Sequence, residues 1–114
     1  MNFFVKILAT GLAVFLTAYL LPGIHLASDL WTILIVALVI TLLNVTLKPI
    51  LIFITIPATI VTFGLFLFVI NAIIIMVADY FVDGFTVDSF WWALLFSLIV
   101  SFIVSLFKDE KKKG

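Results

Sequence analysis

The stretch that divides this chain is residues 43–60, LNVTLKPILIFITIPATI. Lys48 is its single charge and stands directly before Pro49, and a second proline follows at Pro57. A residue that precedes proline is pushed out of helical geometry, whereas proline itself suits the first turn of a helix. The stretch therefore predicts a helix break before each proline and a short connector helix at about 49–55.

The composition around this stretch is that of a membrane protein. The chain has 114 residues, of which 67% are hydrophobic and 11% charged, and its mean hydropathy is +1.50. Soluble domains are about half apolar and about a quarter charged. The polar side chains here are too few to cover the surface of a soluble domain of this size.

Chemistry-bearing residues are scarce. The sequence has no cysteine and one histidine, which removes thiolate sites and histidine metal clusters. It also lacks the short motifs of metalloproteases, serine hydrolases and phosphate-binding loops. We therefore expect no enzyme activity, no catalytic residue, no metal, no cofactor and no nucleic-acid partner; the expected partner is the lipid bilayer.

Polar residues divide the chain into four apolar spans. A helix needs about 20 apolar residues to cross the roughly 30 Å hydrocarbon core, which predicts spans at about 3–21, 30–47, 57–78 and 90–107. Lys48 at mid-bilayer would cost about 2.5–3.5 kcal/mol, so it marks an interface. The alternative, one kinked helix over 49–78, would be about 45 Å long at 1.5 Å per residue. We expect a single all-α transmembrane domain over 1–114.

The charges predict an orientation. With four crossings, every lysine falls on the side of the two termini, and the aspartates of both connecting loops fall on the other side. The lysines are Lys6, Lys48, Lys108, Lys111, Lys112 and Lys113, and the aspartates are Asp29, Asp79, Asp83 and Asp88. By the positive-inside rule, both termini and the basic tail 108–114 are cytoplasmic. All Trp and Tyr residues adjoin the outer loops, which is typical of an interfacial belt.

An internal repeat relates the two halves. A shift of 61 positions places Tyr19 on Tyr80, Gly23 on Gly84, Ser28 on Ser89 and Trp31 on Trp92. This predicts two duplicated helical hairpins whose loops lie on the same side of the membrane, joined by a membrane-embedded or interfacial short helix. Such a parallel repeat has its symmetry axis along the membrane normal.

Small and polar residues predict how the helices associate. Small residues recur every four positions in the last span, which places them on one face; they are Ser89, Ala93, Ser97, Ser101 and Ser105. We expect a packing seam there, with a polar pore lining as the alternative. Asn44 and Asn71 are expected to form interhelical hydrogen bonds worth about 0.6–2 kcal/mol, with a substrate contact as the alternative.

A wider motif surrounds the opening stretch. Its residues are Asn44, Lys48, Pro49, Thr55, Pro57, Thr62, Gly64 and Asn71, with Gly84-Phe85 and Phe90-Trp91 further on. In this order they resemble the small bacterial four-transmembrane family known as phage holin superfamily IV, the mycobacterial-type four-span holins. The resemblance covers roughly 3–107 and implies a four-helix protein of the bacterial cytoplasmic membrane. Asp83 departs from it, because the family often has proline there.

Thr55 is expected to cap the third span.

Three functions fit these observations. The resemblance implies a holin-like protein that oligomerises and permeabilises the membrane. The uniformly apolar composition favours a non-pore structural or accessory protein of the bacterial envelope. The third is a small channel or lipid-handling protein built around Asn44, Lys48 and Asn71.

Accessibility labelling tests the orientation, because the chain has no native cysteine. We expect Ser28→Cys and Ser89→Cys to react with a membrane-impermeant maleimide in intact cells. Lys113→Cys should react only after the cells are opened. Labelling of the tail from outside would reverse the topology.

Overall fold

The computed structural model describes residues 2–107, so the basic tail 108–114 lies outside the described residues. Five helices and two short strands follow one another along this part of the chain. In chain order they are α1 (Phe3–Leu20), β1 (Ile24–Leu26), α2 (Leu30–Ile54), α3 (Ile56–Val61), α4 (Phe66–Phe81), β2 (Phe85–Val87) and α5 (Phe90–Phe107). The expected all-helical character holds, with a small strand pair added.

Three helices, α1, α2 and α5, are long and apolar enough to cross a membrane. The fourth apolar helix, α4, has 16 residues and covers about 24 Å at 1.5 Å per residue. This arrangement agrees with a four-helix membrane protein. The limits of the four spans within a bilayer stay a prediction.

The four long helices form a closed bundle. α1 packs on α2, α2 on α4, α4 on α5, and α5 back on α1. Its centre is filled by apolar side chains that are almost fully buried: Val14, Val36, Ile70, Ile74 and Phe96. We call the end that carries β1 and β2 the strand end. The opposite end carries the elbow, defined as residues 49–65, and is called the elbow end.

The strand pair is a feature that the sequence did not predict. β1 and β2 run antiparallel, with Ile24 opposite Val87, His25 opposite Thr86, and Leu26 opposite Phe85. Two further backbone bonds flank the pair, from Ala27 N–H to the Gly84 carbonyl at 2.7 Å and from Asp88 N–H to the Gly23 carbonyl at 2.9 Å. Pairing gives backbone groups of the two loops hydrogen-bond partners within the protein.

Two aspartates fasten the strand end. The Asp79 carboxylate, at the end of α4, accepts a hydrogen bond from Val87 N–H at 2.9 Å. The Asp88 carboxylate lies 3.0 Å from His25 Nε2. Both aspartates therefore have hydrogen-bonding partners within the fold.

Asp29 begins α2. Its carboxylate accepts hydrogen bonds from Thr32 N–H at 3.0 Å and from the Thr32 hydroxyl at 2.9 Å. Both bonds lower the pKa of Asp29 below its usual value of 3.8, and the bond from Thr32 N–H has the larger effect. An ionised aspartate suits this position, because the N-terminus of a helix carries partial positive charge.

The break predicted at Lys48 is wrong, because α2 continues to Ile54 with Pro49 inside it. Residues 49–54, expected as part of a separate connector helix, are the last turns of α2. Proline inside a helix costs about 3 kcal/mol or more. Ending the helix in an apolar segment would leave several backbone groups without partners, at several kcal/mol each. Continuing the helix is therefore the cheaper solution.

The helix break falls at Thr55, next to the predicted break at Ile56. The short helix α3 begins there, with Pro57 in its first turn. The third long helix was expected from Pro57, but α4 starts only at Phe66. The turn between α3 and α4 contains Phe63 and Gly64 at φ 55° and 88°. These left-handed conformations end α3, because a right-handed helix cannot pass through them.

Gly23 and Gly11 differ in how much space surrounds them, so substituting each by alanine tests how tightly the strand end is packed. A methyl group on Gly23 would overlap the Trp92 ring, whereas one on Gly11 would make an ordinary 3.6 Å contact with Ala37 Cβ. We expect Gly23→Ala to lower the free energy of unfolding by about 1–3 kcal/mol. Gly11→Ala should leave it unchanged or raise it by up to about 1 kcal/mol, because alanine favours helix.

Thermal unfolding of both variants in detergent measures this difference. Gly11→Ala is the matched control, because it makes the same chemical change at a buried helical site. Equal midpoints for the two variants would contradict the close contact between Gly23 and Trp92.

Candidate functional site

Threonine hydroxyls organise the elbow. Thr55, expected to cap the helix that follows, instead donates its hydroxyl to the Leu51 carbonyl at 2.7 Å, and no side-chain hydrogen bond caps α3. This expectation was wrong because threonine inside a helix reaches the carbonyl four residues earlier. Thr55 thus completes the end of α2.

Thr62 joins α3 to α4. Its hydroxyl donates to the Ala58 carbonyl at 2.9 Å and accepts from Phe66 N–H at 3.0 Å. Gly64 N–H donates to the Thr59 carbonyl at 2.8 Å, a bond typical of helix ends that close on a left-handed glycine. Thr62 and Gly64 therefore make the hydrogen bonds that hold the turn between α3 and α4.

The remaining polar residues of the motif meet at the elbow end. Asn44 and Lys48 from α2, Asn71 from α4, and Ser97 and Ser101 from α5 line one cavity of about 40 Å³. Asn44 and Lys48 share a face of α2 because they are four residues apart. The fold thus brings together residues that lie up to 57 positions apart in the sequence.

A second cavity of about 170 Å³ adjoins the first. Lys6 and Thr10 of α1 line it together with Asn44 and Ser101, which belong to both cavities. We call the two cavities together the polar pocket. The sequence predicted only that Lys6 lies on the side of the two termini. Its helical spacing of four from Thr10 is the signal that could have placed it in the pocket.

The two amides do not bond to each other. Among the side-chain hydrogen bonds of residues 2–107, none joins Asn44 or Asn71 to another helix, so the expected direct interhelical bond is not formed. Both side chains are half-buried and line the same small cavity. Buried amides need partners, so the space between them is suited to a water or a polar ligand.

The serine face of α5 is buried in its first half and exposed in its second half. Ala93 and Ser97 are buried in the bundle, whereas Ser101 and Ser105 are exposed. The hydroxyls of Ser97 and Ser105 donate to the Leu94 and Phe102 carbonyls of their own helix. A packing seam along the whole face, including Ser89, stays a prediction.

The polar pocket is cationic. Within residues 2–107, all four carboxylates lie at the strand end, and the one ion pair joins His25 to Asp88. No group of three potential metal ligands occurs in the same part of the chain. The pocket therefore offers ammonium, amide and hydroxyl groups, and no carboxylate from the described residues.

Two larger surface depressions lie elsewhere. One, of about 350 Å³, adjoins β1 and includes Tyr19 and His25. The other, of about 330 Å³ between α1 and α2, is lined by apolar side chains and Gly11. Neither gathers several charged or amide groups, so the polar pocket is the candidate site.

The closed bundle, with large apolar side chains exposed on its outer surface, defines a small multi-helix membrane protein. The chain belongs to the family described as mycobacterial 4 TMS phage holin, superfamily IV, which matches residues 1–106.

Two relatives cover most of the chain. The Bacillus subtilis (strain 168) protein named "Uncharacterized membrane protein YvlD" is 42% identical over 98 residues, 85% of this chain and 82% of the relative. The Streptomyces coelicolor protein named "Uncharacterized protein SCO3922" is 38% identical over 111 residues, 90% of this chain and 89% of the relative. No solved structure matches the chain.

Paired threonine variants test the elbow. We expect Thr62→Val to lower the free energy of unfolding by about 1 kcal/mol, because Phe66 N–H loses its capping oxygen. Thr59→Val is the matched control, since the Thr59 hydroxyl is buried without a partner and its removal should be neutral or stabilising. Unfolding midpoints in detergent measure both. A larger loss for Thr59→Val than for Thr62→Val would contradict the assigned role of Thr62.

Proposed function

We propose that this protein is a non-pore accessory component of the bacterial cytoplasmic membrane, acting through helix packing and lipid contacts. The observation that carries the proposal is the closed apolar centre of the bundle. In residues 2–107 the buried polar side chains are Thr10, Thr17, Thr41 and Ser97. A water-filled path needs a continuous polar lining, and these short hydroxyls are too few to provide one.

Permeabilisation by an oligomer is the second candidate. It rests on family membership and on one feature of α5, the exposed Ser101 and Ser105 near the elbow end. A second copy packed there would meet hydroxyls instead of methyl groups. Against this, large apolar side chains cover most of the outer surface, such as Phe102 beside Ser101, and such a surface suits lipid.

A duplicated hairpin is the architecture we propose for this component. In support, residues 61 positions apart are equivalent in the strand pair, which is centred on His25 and Thr86. Tyr19 and Tyr80, also 61 apart, are 82% and 81% exposed. The two backbone bonds that flank the strands exchange equivalent partners in the same way.

Beyond the strands the equivalence shifts by one residue. The burial of residues 31–40 repeats at 91–100, a spacing of 60. Trp31 is 71% exposed and Trp91 72%, so the counterpart of Trp31 is Trp91 and not the expected Trp92. The second loop is therefore one residue shorter than the first between strand and helix.

The proposed orientation puts both termini and the elbow end in the cytoplasm. Lys6 and Lys48 line the polar pocket at that end, and the aspartates of the described residues lie at the strand end. This separation along the bundle supports the positive-inside assignment. The exposed Trp31, Trp91, Tyr19 and Tyr80 at the strand end support an outer interfacial belt.

Inducible expression with a membrane-potential dye and a viability count tests the proposal. We expect the parent, Asn71→Leu and Ser101→Leu to leave growth and potential normal at high abundance in the membrane. Immunoblotting of the membrane fraction controls for abundance. Collapse of the potential by the parent at a threshold of expression would instead support the oligomeric, permeabilising function.

A further inference from the structure

We propose that the polar pocket binds one phosphate oxyanion, supplied by an anionic phospholipid headgroup or by free phosphate. Its wall offers two ammonium groups, two amides and hydroxyls, from Lys6, Lys48, Asn44, Asn71 and Ser101. Ammonium and amide N–H groups donate to oxygen, and hydrogen bonds from charged donors to phosphate are the strong ones. Among residues 2–107, no carboxylate lines the pocket, and a bound cation would need one.

The charge balance of the pocket favours an anion. Lys48 is half-buried in α2, and Lys6 is half-buried in α1. In residues 2–107 no carboxylate forms an ion pair with either lysine. Lys48 lines the smaller cavity, Lys6 lines the larger one, and Asn44 lines both. Like charges in two adjoining cavities repel each other, and an oxyanion bound in the larger cavity would relieve that repulsion while giving the amide of Asn44 a partner.

The size and access of the pocket fit a headgroup phosphate. A water occupies about 30 Å³ of liquid volume, so the cavity of about 170 Å³ holds several waters or one tetrahedral oxyanion. Ser101 is exposed while it lines both cavities, so the pocket is open at the α5 surface. A lipid phosphate can enter there while its acyl chains stay outside the bundle.

The position of the pocket makes lipid the nearer source. This step rests on the proposed function, which places the elbow end at the cytoplasmic face. Anionic lipid headgroups are concentrated at that face, and basic pockets between transmembrane helices bind them. The large apolar side chains exposed around the elbow, such as Phe53 and Phe63, would lie among the acyl chains of the same lipids.

Thermal unfolding and native mass spectrometry of the full chain in detergent test the site. The probes are phosphatidylglycerol, phosphatidylcholine and inorganic phosphate, each added separately. We expect phosphatidylglycerol to raise the unfolding midpoint and remain bound in the spectrometer, and phosphatidylcholine to do so much less. A site-dependent rise with inorganic phosphate alone would assign the oxyanion to the free ion.

Three variants connect binding to the pocket. Replacing both pocket lysines, Lys6→Gln with Lys48→Gln, should weaken phosphatidylglycerol binding about thirtyfold. The control, Lys111→Gln with Lys112→Gln, removes the same charge from the tail and should change binding less than about threefold. Asn44→Asp keeps the shape of the side chain but adds a carboxylate four residues before Lys48. It should abolish binding and raise the midpoint without lipid.

Equal binding by the parent, the pocket double variant and Asn44→Asp would overturn the proposal, as would a larger loss in the tail control than in the pocket variant. Variants are compared only where their helical circular dichroism matches that of the parent, and Asn44→Asp covers the case in which the double variant does not fold. Collapse of the membrane potential in the expression experiment would refute the proposed function alone, because it does not measure phosphate binding.

Discussion

The constraint on which this structure depends is that a backbone surrounded by apolar side chains has no water to satisfy its N–H and C=O groups. Three local features answer it. α2 continues through Pro49, the two loops at the strand end pair as β1 and β2, and the Thr62 hydroxyl serves both sides of the turn between α3 and α4. Each keeps backbone groups hydrogen-bonded within the protein.

The sequence predicted the parts of the fold that depend on composition and length. Apolar runs of about 20 residues identified α1, α2 and α5, and Pro57 marked the region where the chain breaks. It could not locate the breaks themselves, because local propensity at Lys48 competes with the cost of exposing backbone groups in an apolar segment. Gly64 carried a signal for the turn before α4, since glycine favours positive φ, but the long apolar run concealed it.

The candidate site was predictable only in part. Asn44, Lys48 and Asn71 stood out because polar side chains are rare in these spans. No spacing in the sequence, however, indicated that α2 and α4 would place them around one cavity. Lys6 belongs to the same pocket, although the sequence predicted only the side of the membrane on which it lies. Pairings between helices depend on the closed bundle, and a single sequence contains no record of them.

The strand pair also has a consequence for how the chain is made. β1 joins a partner about 60 residues further along, so this end of the protein cannot close until β2 has been synthesised. Until then, α1 and α2 are in the membrane while the edges of β1, residues 24–26, have no partner strand. An unpaired edge is a template for pairing with another chain. Biogenesis therefore includes an interval in which two nascent copies can pair with each other before either pairs with itself.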